Sequence, residues 1–208
     1  MSKIIPLNNN THRTLTVTES TDFSGFSNQQ LIPIVVHDFV QLASEFPIVF
    51  VKNSDTGQFI PVAMMGIKQG VNLYCQTTTW PCTVIPSGFK NAPFSLMQKT
   101  ENSEEVIVCI DEESPLVNQT NGQALFDEQG EQSQYLQDRS KALLTVAEMT
   151  QQTQIITNFF AEKKLFSNRQ LTVKLGPDNQ PFTIDGIYLI SETALNELST
   201  ESFDALRT

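Results

Sequence analysis

The chain has 208 residues, 39% of them hydrophobic, with 23 acidic against 13 basic side chains and a net charge of −10. That length suits one domain able to bury a core without metal or disulfide staples. The negative charge repels phosphate backbones and argues against nucleic-acid binding, whereas a charge-steered partner would be basic.

The opening segment, MSKIIPLNNNTHRT, has no long apolar stretch followed by a small-residue cleavage site, so no signal peptide is read. No apolar run reaches the about 18 residues of a membrane span, and the expected location is soluble and cytoplasmic. Residues 1–30 are polar and read as an arm holding one short strand, with His12 solvated. Residues 31–208 form the core of a single domain, 1–208 in all. IPIVV at 32–36 is strand-like, and HDFVQLASE at 37–45 is a short helix with Asp38 near its positive end. FPIVFVK and QFIPVAMMGI bracket Asn53-Ser54-Asp55-Thr56-Gly57, which predicts a hairpin. NLYCQ at 72–76 is the expected third strand, and residues 77–97 form a long aromatic loop packed against the molecule.

EVIVCI at 105–110 reads as a buried strand that ends in Asp111-Glu112-Glu113, and ALFDEQGEQ is a turn with Gly130 at its positive-φ position. From about Gln134 to Lys164 the period changes. Ala142, Val146, Met149, Thr153, Ile156 and Phe160 recur at helical spacing, widened by Leu143, Ala147 and Phe159, with Glu148, Gln151 and Gln152 towards water. On that face Phe160→Ala would cost about 3–5 kcal/mol. RQLTVKLGPDNQPFTIDGIYLISE is a second hairpin around Gly176-Pro177-Asp178-Asn179, and a final helix runs to Leu206 with Ser191 as its N-cap. The whole reads as α+β: an antiparallel sheet built from hairpins, with one long helix and a C-terminal helix packed on it.

The motifs bear on chemistry unequally. Asp55-Thr56-Gly57 spells half of an aspartic protease dyad, but two such carboxylates must share a proton and there is no second copy. Asp and Gly suit the turn itself. Cys75, Cys82 and Cys109 are an odd set without a disulfide framework, and neither His12 nor His37 sits in a motif that would activate a thiol. Cys75 and Cys82 are also spaced unlike structural zinc ligands. Asp111, Glu112 and Glu113 at a strand end are oxygen donors that a hard cation accepts, though a solvated turn or carboxylates capping nearby amides would use the same residues.

One set of segments is more specific. FPIVFVK, DTGQF, AMMG, NLY, Trp80, APF, CIDEESPLV at 109–117, GQALFDEQGE at 122–131 and DGIYLISE resemble, in that order, the bacterial SapC family, named for a surface-layer-associated protein. This is neither the permease nor the saposin of similar name. The resemblance covers about residues 30–195. It implies that Asp55-Thr56-Gly57 is a family turn. It also implies an accessory role in nutrient uptake or modification, alongside halogenase-like, cupin-like or TonB-dependent receptor proteins. It brings no catalytic residue and no cofactor.

The expected function is therefore a non-enzymatic binding or accessory protein that holds a protein partner or a small ligand. Trp80, Phe89 and Phe94, stiffened by Pro81, Pro86 and Pro93, are the expected ligand-binding wall. The alternative is a metal-dependent enzyme using Asp111, Glu112 and Glu113.

Overall fold

A computed structural model describes residues 3–20, 22–100, 105–174, 176 and 181–207. In chain order the elements begin with β1 (Ile4–Pro6), α1 (Asn9–His12), β2 (Thr16–Val17), β3 (Leu31–Pro33) and α2 (Phe39–Leu42). There follow β4 (Ile48–Lys52), β5 (Phe59–Met64), α3 (Ser87–Lys90), β6 (Phe94–Gln98) and β7 (Val106–Asp111). The remainder are β8 (Val117–Asn118), β9 (Gln123–Ala124), α4 (Gln134–Glu162), β10 (Phe166–Val173), β11 (Phe182–Ile190), α5 (Glu192–Asn196) and α6 (Thr200–Asp204). The fold is α+β with antiparallel strand pairing in every sheet. No helix among the described residues is long and apolar enough to cross a membrane.

The chain divides into two compact units, residues 1–27 with 74–149, and residues 28–73 with 150–208. In the first unit β1, β7 and β6 form one sheet, in that order, and β8, β2 and β9 form a second. Val17, Phe94, Ile110, Leu125, Phe126, Leu136 and Leu143 pack as its core. The opening segment belongs to this unit. Ile4, Ile5 and Pro6 pair with Asp111, Ile110 and Cys109, so the polar stretch is tied down by a strand ladder. Gly130 takes φ +85° in the expected turn, where Asp127 Oδ1 accepts from the Glu131 amide.

In the second unit the strands run β10-β11-β4-β5-β3. The hairpin at Asp55-Thr56-Gly57 is present: Asn53 Oδ1 accepts from the amides of Asp55 and Thr56, and Gly57 takes φ +72°. Five residue pairs from Ile48↔Ala63 to Lys52↔Phe59 hold its register. The strand expected at 72–76 is not formed. The Leu73 amide donates to the Met65 carbonyl, the chain then turns, and β3 takes the place beside β5. The strand expected at 32–36 stops at Pro33, and Val36–Asp38 is already a 3-10 turn. In the second hairpin β10 and β11 pair as expected, while turn residues Pro177, Asp178 and Asn179 lie outside the described residues. Ser191 Oγ accepts from the Ala194 amide, the expected cap. The final helix is two pieces rather than one, because Ser199 caps a second start through the Ser202 amide.

Helix α4 carries the expected period with a corrected face. Leu136, Leu143, Thr153 and Thr157 are buried; Val146, Met149, Ile156, Phe159 and Phe160 are half-buried; Ala142 and Ala147 are exposed. Glu148, Gln151 and Gln152 are exposed as expected. Two threonines hold buried positions because their hydroxyls are bonded. Thr153 Oγ1 accepts from the Val36 amide, and Thr157 Oγ1 donates to the Gln154 carbonyl. Phe160 is only half-buried, its ring 6.3 Å from that of Phe166. The larger cost read from the sequence is therefore corrected: Phe160→Ala should lose about 1–3 kcal/mol. Gln152→Ala should lose under about 1 kcal/mol, and urea melts of the two variants should separate accordingly.

Candidate functional site

A half-open cleft lies wholly within the first unit, with a volume of about 470 Å³. Its apolar lining is Val17, Phe23, Phe26, Ile85, Phe89, Ala92 and Leu116, buried or half-buried. Its polar lining is Thr18, Glu19, Ser20, Asp22 and Lys90, all exposed, together with half-buried Tyr135 and Arg139.

Local chemistry places these groups. Ser20 Oγ accepts from the Asp22 amide and Asp22 Oδ1 from the Ser24 amide, so the chain after β2 closes into a turn. The following 3-10 turn, Ser24–Phe26, brings Phe23 and Phe26 to one side, because side chains three apart eclipse in that geometry. Both meet Phe89 on α3. The Phe23 and Phe89 rings stack at 5.1 Å and 20°, and Phe26 tilts against Phe89 at 4.7 Å. Trp80 stands edge-on to Phe23 at 5.4 Å and to Phe89 at 5.5 Å, with its indole N–H donated to the Val84 carbonyl at 3.0 Å. Such edge and offset contacts suit the ring quadrupoles. Tyr135 and Arg139, also in the lining, sit one helical turn apart on α4 and share a face.

The charges are arranged as follows. An Arg139 Nη2–H is donated to the Lys90 carbonyl. Among the described residues no carboxylate lies within 4.0 Å of the guanidinium. The hydroxyl and amide of Ser24 hold the Asp22 carboxyl below its usual range. Burial raises the Tyr135 phenol, the Arg139 charge opposes that shift, and Glu19 adds to it.

Of the expected wall, Phe89 lines the cleft. Trp80 supports Phe89 and Phe23 from behind, and Phe94 lies outside the lining, in the core, with its ring 6.4 Å from Tyr135. The expected loop at 77–97 contains α3 and the start of β6. Phe23, Phe26, Tyr135 and Arg139 are lining residues that lie outside the expected wall. The signals for them are present: aromatics three apart in a Ser/Gly turn, and Tyr and Arg four apart on a helix.

Asp111, Glu112 and Glu113 have different neighbours. Asp111 Oδ1 accepts from the amides of Lys3 and Glu113, which is amide capping. Glu112 Oε2 meets Lys3 Nζ at 2.6 Å, and Glu112 Oε1 meets His12 Nε2 at 3.3 Å. Glu113 is exposed. Among the described residues no three His, Cys, Asp or Glu side chains are grouped to hold a metal. His12 is wholly buried rather than solvated. Asn8 caps α1 through the Thr11 amide, and the Asn8 amide donates to His12 Nδ1 at 3.0 Å, which fixes the ring beneath Glu112. Burial, then the Asp22 charge, pushes the Cys75 thiol up to about 11, and burial raises that of Cys109.

The Lys3 hydrogen bond and charge, with a hydrogen bond from His12, hold the Glu112 carboxyl below its ordinary value of 4.5 despite some opposing desolvation. A depressed carboxylate stabilises the fold above the unfolded value and stops doing so as pH falls through the folded one. The Tm gap between the native chain and Glu112→Gln should therefore be present at neutral pH and shrink below pH 4.5. Lys3 is raised by the same contact, so its part persists below 10.5 and fades above it. Thermal melts across pH read both; a gap that widens in acid contradicts the assignment.

A family model described as SapC matches residues 7–208. No curated protein and no solved structure matches the chain.

Proposed function

The chain belongs to the SapC family, and we propose that it works as a non-enzymatic binding or accessory protein whose cleft receives a small ligand or a single projecting side chain of a partner. The observation that carries this reading is the cleft's lining. The rings of Phe23 and Phe89, stacked on each other, and of Phe26, tilted against Phe89, are in contact with Trp80 through Phe23 and Phe89, and polar groups sit at the exposed edge. A volume of about 470 Å³ is within the usual range for ligand sites. Apolar walls with a few placed polar groups supply affinity through burial and orientation through hydrogen bonds. Cys75, Cys82, Cys109, His12 and His37 are not part of the lining, which favours recognition over nucleophilic chemistry there.

Trp80 is the single tryptophan of the chain, so its emission reports directly on the rings lining the cleft. The test is affinity capture from native lysate, small molecules and proteins both identified by mass spectrometry, with the native chain and with Ala92→Leu. Ala92 lines the cleft and is half-buried, so the larger side chain fills space without removing a core contact. The captured species should shift Trp80 emission and should bind Ala92→Leu at least about tenfold more weakly. A species retained equally by both proteins, with no change in emission, would place binding elsewhere.

A further inference from the structure

We propose that the ligand of this cleft is an amphipathic monocarboxylate, an apolar body ending in one carboxylate that Arg139 receives. The inference rests on the cleft-binding reading above and adds the ligand's chemical class to it. Arg139 is half-buried, and its one hydrogen bond to a described residue goes to a neutral carbonyl, that of Lys90. Among the described residues no carboxylate lies within 4.0 Å of this guanidinium, so its charge is available to a bound carboxylate. Its planar fork suits a carboxylate bidentately, and the Lys90 carbonyl occupies one donor while others remain. Lys90 is itself at the cleft's exposed edge and adds positive potential.

The apolar end of the ligand follows from the rings. Phe23, Phe26 and Phe89 line the cleft together with Val17, Ile85 and Leu116, so its wall suits an apolar body. The number of negative charges is limited by Glu19 and Asp22, which line the same cleft, and by the net charge of −10. A phosphate dianion would meet two carboxylates and gain from two cations, one of them exposed; a single carboxylate beside Arg139 avoids that repulsion. Tyr135, one turn before Arg139, provides a hydroxyl on the same helix face.

The probes are 4-phenylbutyrate and its uncharged amide, which share a body and differ in the charged group. Each is titrated into the full chain by calorimetry, with Trp80 emission as a second readout. Phenylbutyrate should bind at least about tenfold more tightly than the amide. Arg139→Gln should remove that difference by weakening the carboxylate alone, and Arg139→Lys should restore part of it. Unchanged amide binding by Arg139→Gln shows that the cleft is still folded. Equal affinity of acid and amide for the native chain, or an acid preference that survives Arg139→Gln, overturns the carboxylate assignment and leaves the cleft reading in place. Absence of binding by both probes, with Trp80 emission unmoved, overturns the assignment together with the cleft reading.

Discussion

Phe89→Ala should lower the stability of the first unit by about 3–5 kcal/mol, the range for truncating a fully buried aromatic. Phe89 is 2% exposed and lies in ring contact with Phe23, Phe26 and Trp80. Truncation removes the shared neighbour of three aromatic side chains at once, and none of the three can close the gap without leaving its own contacts. Trp80 loses one of its edge-on partners, so its emission should shift to the red before the main unfolding transition. Phe89→Leu, which retains most of the volume, should cost about half as much. Urea melts followed by Trp80 emission measure both. A loss below about 1 kcal/mol for Phe89→Ala would mean that the rings do not form a packed wall. The expected ligand loss follows the same logic: a cleft that has lost its stacked ring should bind apolar bodies weakly even where the chain still folds.

Gly122→Ala should cost about 3 kcal/mol or more, through the backbone rather than a cavity. Gly122 has φ +109°, a conformation that L side chains rarely adopt, and an added Cβ would lie 2.4 Å from the Val17 carbonyl oxygen and 2.8 Å from the Thr18 nitrogen. The close approach exists because β9, which starts at the next residue, pairs with β2 through Val17↔Gln123. A side chain at 122 must therefore push β2 away from β9. Val17 is buried in the core and both Val17 and Thr18 line the cleft, so the same substitution should weaken ligand binding. Gly25→Ala is the control. Its Cβ would meet nothing within 4 Å, and its cost should stay under about 1 kcal/mol. Chemical denaturation of the pair measures the difference, and near-equal losses would contradict the close packing of β2 on residue 122.

These two substitutions also divide what could be read early from what could not. Gly122 opens the segment GQALFDEQGE, which carried part of the family resemblance, yet nothing local marks it as a packing glycine. Its constraint comes from Val17, more than a hundred residues earlier in the chain. Phe89 is legible in the sequence because it lies in an aromatic stretch rich in proline. Its partners Phe23 and Phe26 are not, because they sit in a segment whose Ser, Thr and Asn content reads as an exposed arm.

Short-range features were determined by the sequence itself. The turn at Asn53–Gly57, the positive φ of Gly130, the Ser191 cap and the helical period from Gln134 each depend on residues within about four positions, the range of turn and capping hydrogen bonds. The burial of Cys109 follows from its apolar neighbours in the same strand. Tertiary structure alone decided the rest. His12 is buried because β1 pairs with the end of β7 and brings Glu112 over the ring. Ala142 and Thr153 belong to the same expected stripe of α4, yet Ala142 is exposed while Thr153 is buried with its hydroxyl satisfied by a distant amide, that of Val36. Asp111 caps the Lys3 amide, and Glu112 is held by an ion pair with Lys3 and a contact with His12 Nε2. Arg139 becomes a cleft residue because the fold brings it to α3, whose Lys90 carbonyl accepts from it, and to the same cleft as the turn after β2. In each case the deciding partner lies far away in the chain. Composition and periodicity describe a residue's own preference for water, whereas burial of a polar group depends on whether the fold supplies its hydrogen-bond partner.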